Sequence, residues 1–315
     1  MSLQLVLRQM RLEAQDVVSY EFASADGAAL PPFTAGAHID LHLPGGLVRS
    51  YSLVNDPAER HRYVIAVDRA LEGRGGSSWM HATPRPGDRF TAGEPVNDFP
   101  LYEDAPMAIF IAGGIGITPF VSMAARLKHL GRHWRLHYAA RSPQRAAYAS
   151  EMHALEAAGV QVGLRYSSEG LGRLDLKQIV RDAPAGSHLY CCGPAGMIDD
   201  FLAACEGLAP QRVHLERFTA SQAAATSGGY EVELRRSGRT LAVEPGRTLL
   251  DTLLDAGVDV QYSCSQGICG TCCTNVLEGT PDHRDDYLTA EEKASNRAMM
   301  VCCSGSLSPR LVLDL

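Results

Sequence analysis

The chain is 315 residues long, with 45% apolar and 21% charged residues, enough for two or three packed domains. A net charge of −7 speaks against nucleic acid as a partner, and no run of about eighteen apolar residues is available to span a bilayer. The opening MSLQLVLRQMRLEAQ alternates instead of forming a signal-like apolar block, and nine cysteines in an odd set with adjacent pairs suit a reducing compartment, so a cytoplasmic protein is expected.

From Leu3 to about Glu103, short alternating segments are punctuated by Gly, Pro, Asn and Asp: LQLVLRQMRL, VVSYEFASAD, HIDLHLPGG, LVRSYSLVND, RYVIAVDRA and DRFTAGEP. Such spacing predicts an all-β antiparallel barrel or sandwich. Two places inside it look chemical. Arg49-Ser50-Tyr51-Ser52-Leu53 sets a cation, an aromatic and hydroxyls on or just after a strand. Gly73-Arg74-Gly75-Gly76-Ser77-Ser78 is a glycine turn entering a short helix, SSWMHAT, whose free N–H groups could hold a phosphate beside Arg49 or Arg74. Each spot alone is weak evidence, and Arg49 and Tyr51 taken singly read more readily as an exposed arginine and a half-buried barrel tyrosine.

After Pro106 the pattern changes. Met107–Ala112 is a continuous apolar run suited to a strand buried on both faces, and Gly113-Gly114-Ile115-Gly116-Ile117-Thr118-Pro119 leads into the helical PFVSMAARLKHLG. Thr118 is expected to cap that helix, with Pro119 at its first position. The dinucleotide fingerprint G-x-G-x-x-G is not met, because Pro119 stands where its third glycine would be. Strand-like RLHYAA, VQVGLRYS, HLYCCG and VHLERF alternate with helical RAAYASEMHALEAAG, LDLKQIVRDA and PAGMIDDFLAACEGL, which predicts a doubly wound parallel sheet. Its crevice would be lined by the loops at Ala140–Ser142 and Cys191–Pro194. Cys191, Cys192 and Cys205 also fit as small buried apolar residues.

Thr219–Gly229 is small, polar and unpatterned, and reads as a flexible linker at a domain boundary. Beyond it come a hairpin (YEVELRRSG, RTLAVEP), a helix (TLLDTLLDAG), a cysteine-rich loop and a final strand-like SLSPRLVLDL. From Thr226 onward there are 13 acids and 8 bases, so this stretch carries −5 of the −7. Asp251, Asp255 and Asp259 recur at helical spacing. An acidic face of this kind either steers a basic partner or is an ordinary solvated surface.

Cys264, Cys269 and Cys272 stand as C-x4-C-x2-C, and Cys302 follows after twenty-nine residues, the plant-type spacing for a [2Fe-2S] cluster. Two sulfide-bridged irons need four thiolates on a small volume, so one loop supplies three and a distant segment closes the cage. Zinc usually takes two short cysteine or histidine pairs instead of three plus one. Gly267 and Gly270 would let backbone amides approach the sulfides. Cys273 and Cys303 each follow a proposed ligand directly and are assigned as non-ligands.

RSYSL, GRGGS, GGIGITP, CCGP and the cysteine loop, in this order, together with PDHRDDYLT and the terminal LVLDL, resemble the phthalate dioxygenase reductase family over essentially the whole chain. The resemblance implies an antiparallel β-barrel flavin domain at 1–104, an α/β doubly wound NAD domain at 105–224 and a C-terminal plant-type ferredoxin (β-grasp) domain at 225–315. By the same resemblance Arg49, Ser50, Tyr51 and Ser52 belong to a flavin motif, Arg74, Gly75, Gly76 and Ser77 to a phosphate turn, and FMN is expected over FAD. Gly114, Gly116, Ile117, Thr118 and Pro119 match a pyridine-nucleotide loop, Cys192, Gly193 and Pro194 lie near the nicotinamide, and Phe218 shields the flavin ring. Cys264, Cys269, Cys272 and Cys302 match the cluster ligands. Asp68 departs from the pattern, standing where a base is common. Ser142 and Arg145 could accept a 2′-phosphate, although the resemblance favours NADH.

The expected activity is NADH-dependent electron transfer to a Rieske-type aromatic-ring oxygenase or O-demethylase, through a transient, electrostatic contact made by a monomer, with no side chain required as acid or base. The alternatives are a reductase for another monooxygenase, such as one acting on a quaternary amine, and a ferredoxin-like carrier or sensor without flavin turnover.

Overall fold

The computed structural model describes residues 2–70, 75–155, 160–170 and 172–315, and the chain divides into two compact units, Met1–Phe218 and Thr219–Leu315. The first unit opens with β1 (Ser2–Ala14), β2 (Val17–Ser24), β3 (His38–Leu43), β4 (Leu47–Ser52), β5 (Tyr63–Asp68), helix α1 (Gly76–Ala82) and β6 (Arg89–Gly93). The six strands pair antiparallel in the order β4-β3-β6-β1-β2-β5. The two outer strands meet through a Leu53–Ile65 bridge, which curls the sheet into a barrel. Alternation drives this arrangement: Leu5, Leu7, Tyr20, Phe22, Ile39, Leu41, Tyr63 and Ile65 all point inward and are fully buried. Met80 of α1 joins that core, and the Tyr20 hydroxyl donates to its carbonyl at 2.6 Å.

The same unit continues with β7 (Ala108–Gly113), α2 (Thr118–Leu130), β8 (Trp134–Ala140), α3 (Ala149–Ala154), β9 (Gln161–Tyr166), α4 (Leu176–Arg181), β10 (His188–Cys192), α5 (Ala195–Ala204) and β11 (Val213–Glu216). All five strands run parallel in the order β11-β10-β7-β8-β9. Every residue of the central β7 is buried, because helices cover both faces of a parallel sheet. The helix expected over RAAYASEMHALEAAG is shorter than its pattern. Residues 143–145 form a 3-10 turn, and Tyr148, at φ 58, breaks the helical path before Ala149.

The second unit contains β12 (Tyr230–Leu234), β13 (Arg239–Val243), α6 (Leu249–Asp255), β14 (Cys273–Glu278), β15 (Pro281–Asp282), α7 (Ala290–Ser295), β16 (Ala298–Met300), β17 (Gly305–Ser306) and β18 (Arg310–Leu313). Its main sheet has the order β13-β12-β18-β14-β16, with the first strand parallel to the last, the β-grasp arrangement. Leu249, Leu250 and Leu253 bury one face of α6 on Val232, Leu234, Leu311 and Leu313. A capping box of Thr248 and Asp251 starts α6; Asp259 lies beyond its end, so the three aspartates do not share a helical face.

The segment expected as a flexible linker is tied to this second unit. Ser221 donates its amide and hydroxyl to Asp286, both at 2.6 Å, and the Ala225 amide donates to the Cys303 carbonyl at 2.7 Å. Among the described residues no helix is long and apolar enough to cross a membrane.

Candidate functional site

In the parallel sheet the chain leaves β7 toward β8 on one side, while β10 and β11 lie on the other, so a crevice opens at the carboxyl ends of β7 and β10. The glycine turn after β7 and the Cys191–Pro194 loop, one of the two expected to line the crevice, meet there backbone to backbone. A Cβ on Gly116 would stand 2.2 Å from the Cys192 carbonyl oxygen, and one on Gly113 would stand 2.7 Å from Pro194 Cδ. Glycine is therefore demanded by close approach, and the third glycine of the usual fingerprint is not needed. Thr118 does not cap α2: its backbone is already helical, and its hydroxyl donates to the Ile115 carbonyl at 3.0 Å. A 3-10 turn, Gly114–Ile117, runs straight into the helix and occupies the place of a cap.

Cys192 is fully buried, and burial pushes its thiol well above the usual range, so it is no ready nucleophile. Its Sγ lies 4.0 Å from Glu216 Oε2. Glu216 was not anticipated; a carboxylate between His214 and Arg217 in VHLERF, two residues before Phe218, gave no distinct signal. Burial and the nearby Asp98 push its pKa up to about 8. Phe218 packs, partly buried, on the core beneath the crevice.

In the barrel, β4 pairs with β3 so that Arg49 and Tyr51 share one face, and Ser50 and Ser52 the other. Ser50 donates to Asp40 at 2.6 Å. The Ser52 hydroxyl oxygen is buried and has no hydrogen-bond partner, the condition of a group awaiting a ligand. The Arg49 guanidinium lies over the start of α1: a Cβ on Gly76 would stand 2.9 Å from its Nε. The two chemical spots of the barrel sequence are thus neighbours. Gly75 takes φ 84 to turn the chain into α1, and the Ser77 hydroxyl accepts the Ala70 amide at 3.2 Å. Arg74 lies outside the described residues. Burial pushes the Tyr51 hydroxyl up to about 12 against the opposing pull of Arg49, so it is a neutral donor at neutral pH. Orphan hydroxyl, aromatic, guanidinium and glycine turn together fit a flavin mononucleotide.

In the second unit Cys264 meets Cys269, and Cys302 meets both Cys272 and the neighbouring Cys303. Cys264 holds the Cys269 thiol below its usual range. Among the described residues no three metal-ligating side chains close on a single point. Thiols gathered at two places suit two irons sharing sulfides. The Gln266 amide donates to Cys264 Sγ at 3.3 Å, the kind of N–H···S bond the loop glycines were expected to permit. Cys273 is exposed and Cys303 is buried under the loop, its Sγ 2.4 Å from where a Gly267 Cβ would be.

PDHRDDYLT braces this loop, a role its residue types did not announce. The Asp286 amide donates to the Gly267 carbonyl at 3.0 Å, and the Tyr287 ring lies on Gly270. Asp285, almost wholly buried, accepts the Leu288 amide at 2.8 Å and stands 3.7 Å from Lys293 Nζ. Its other oxygen and both ring nitrogens of His283 are buried without hydrogen-bond partners.

Comparison with known proteins agrees with this geometry. Residues 232–305 match a 2Fe-2S iron-sulfur cluster binding domain and residues 110–203 an oxidoreductase NAD-binding domain. The chain is 55% identical over 302 residues to phenoxybenzoate dioxygenase subunit beta of Ectopseudomonas oleovorans, covering 96% of this chain and 94% of that one. It is 47% identical to tetrachlorobenzoquinone reductase of Sphingobium chlorophenolicum, covering 100% and 98%. A solved phthalate dioxygenase reductase, described as a modular structure for electron transfer from pyridine nucleotides to [2Fe-2S], superposes with a TM-score of 0.82 at 38% identity, covering 100% of this chain and 98% of that one.

Proposed function

Because the chain belongs to the phthalate dioxygenase reductase family, we propose that it is the NADH-dependent reductase component of an oxygenase system, with FMN in the barrel (1–104), NADH at the doubly wound sheet (105–224) and a [2Fe-2S] cluster in the β-grasp part (225–315). A bound flavin accepts a hydride as an electron pair and releases single electrons, which a [2Fe-2S] centre carries one at a time. The work of the protein is alignment and the tuning of potentials.

In this reading Ser52 offers its hydroxyl and Tyr51 its aromatic ring to the flavin from the end of β4, while Arg49 and the turn at Gly75, Gly76 and Ser77, with Arg74, hold its phosphate. Gly114, Gly116, Ile117, Thr118 and Pro119 leave room for the pyrophosphate, Cys192, Gly193 and Pro194 floor the nicotinamide pocket, and Phe218 covers the ring. Cys264, Cys269, Cys272 and Cys302 ligate the cluster. The observation that carries the reading is the gathering of four thiols at two places on a chain whose barrel keeps a buried hydroxyl unpartnered.

The partner is an oxygenase of Rieske type, met transiently by a monomer in the cytoplasm. The excess of five acids from Thr226 onward supports a salt-sensitive contact. The quinone-reducing relative favours a second reading, in which a quinone takes the electrons directly.

The test begins with anaerobically purified protein: released FMN, acid-labile sulfide and uptake of three electron equivalents per chain are expected, and a preparation lacking flavin and labile sulfide would sink the proposal. NADH consumption is then compared with a Rieske-type oxygenase and its aromatic substrate, and with a chlorinated benzoquinone alone. Turnover confined to the quinone would move the assignment to the second reading.

A further inference from the structure

Cys273 and Cys303 each directly follow a cluster ligand, but the backbone treats the two neighbours differently. Cys273 opens β14, where successive side chains leave on opposite faces of the strand, and its thiol is exposed. Cys303 lies in a turn instead: its amide donates to the Met300 carbonyl at 3.2 Å, and the Ser304 amide donates to the same oxygen at 2.9 Å. In so tightly wound a backbone consecutive side chains diverge by only about 100°, and the thiols of Cys302 and Cys303 meet. Cys303 is 1% exposed, and its Sγ packs on Gly267, between Cys264 and Cys269 in the loop. Its carbonyl accepts the Ala225 amide at 2.7 Å, which fixes the main chain from the other side.

With the four ligand positions filled by Cys264, Cys269, Cys272 and Cys302, the fifth thiol keeps its proton, whereas ligation removes the proton of Cys302. The S–H of Cys303 has three acceptors in reach: the Met300 carbonyl at 3.8 Å, the Ser304 hydroxyl at 3.9 Å and the Cys302 sulfur. A hydrogen bond to a charged acceptor is roughly twice as strong as one to a neutral acceptor, so the S–H turns to the thiolate. We infer that Cys303 raises the reduction potential of the [2Fe-2S] centre by donating its S–H to the Cys302 sulfur from a place closed to water. Reduction adds negative charge that is shared by the sulfur ligands, and a donor fixed at one of them favours the reduced form over the oxidised one. Burial strengthens the bias, since no water competes for the donor.

The inference rests on the cluster reading, and the experiment keeps the two apart. The full-length holoprotein is titrated anaerobically, with the reduced cluster followed by its low-temperature EPR signal and acid-labile sulfide measured on the same preparation. Cys303→Ala is expected to make the cluster about fivefold harder to reduce, a fall of about 41 mV at 59 mV per tenfold for one electron. A cavity that admitted water would move the potential upward, because water stabilises the more negative reduced form, so the sign separates a lost donor from lost packing. Cys303→Ser keeps a donor and should stay within about twofold of the unaltered protein; it decides the matter alone if the alanine variant fails to hold its cluster. Cys273→Ala, at the other ligand's neighbour, should leave the potential in place. A potential unmoved or raised in Cys303→Ala, a fivefold fall in Cys303→Ser, or an equal fall in Cys273→Ala overturns the donor while leaving the cluster standing. Unaltered protein without labile sulfide overturns cluster and donor together.

Discussion

Two glycine-built loops, one proposed for the nucleotide and one for the cluster, use the missing Cβ differently. At Gly116 the vacated space is filled by another stretch of main chain, the Cys192 carbonyl and Gly193, so two loops at the ends of adjacent parallel strands lock together, while Gly113 in the same turn meets the Pro194 ring and the Met197 side chain. In the cysteine loop, Gly270 meets only a side chain, the Tyr287 ring, and Gly267 meets the Cys303 thiol together with the main chain and Cβ of Asp285. A main-chain neighbour is held by its own strand and cannot yield, whereas a ring at the surface can swing aside. Gly116 should therefore be intolerant and irreparable, and Gly270 partly repairable by a change elsewhere.

The largest effect expected on this contrast comes from the cluster itself. Cys269→Ser should lose the low-potential EPR signal and NADH-driven cytochrome c reduction altogether, while NADH still bleaches the flavin; a persistent signal would mean that the ligand set is wrong. Next, Gly116→Ala should lower NADH-driven ferricyanide reduction by about 100-fold, because a misplacement of about 1 Å near the reacting atoms has that effect. No second-site side-chain truncation should restore it, since the obstructing atom is a carbonyl oxygen. Gly270→Ala is milder. It should cost roughly 1–2 kcal/mol in urea unfolding, from the ring contact and from φ 77. Tyr287→Ala on top of it should recover the contact part alone, and full recovery would show that the backbone angle carries no strain.

The smallest effect concerns pH. Glu216 has its pKa raised from 4.5 to about 8 in the folded chain, so between those values the folded state holds a proton that the unfolded chain has released. Stability from this group is complete below about pH 4.5 and declines as pH rises toward 8. Because the residue keeps some exposure, a loss of about 1–2 kcal/mol between pH 5 and 8 is expected, measured as the change in urea midpoint, and Glu216→Gln should flatten it. An unchanged slope in that variant would assign the pH dependence to other groups.

Much of this was legible in the residues. Alternation in LQLVLRQMRL and HIDLHL, the unbroken apolar run before GGIGITP, and the C-x4-C-x2-C spacing each encode a local rule, and each emerged as a barrel strand, a central parallel strand and a paired-thiol loop. Where the sequence misled, a local rule lost to a neighbour. Thr118 had the chemistry of a cap, but the turn before it was already helical; the helical pattern from Arg145 gave way to a 3-10 turn and a left-handed Tyr148.

The sequence by itself determined the order of the three cofactor modules and the residue types in each, because periodicity and short-range spacing are properties of neighbours along the chain. Only the tertiary structure decided that Arg49 lies over Gly76, that Asp16 and Asp68 take Arg145, and that HRDD props the cysteine loop. Those pairs are separated by 18 to 129 residues, and nothing in a charge or a glycine names its partner until strand pairing and burial have brought the two within a few ångströms.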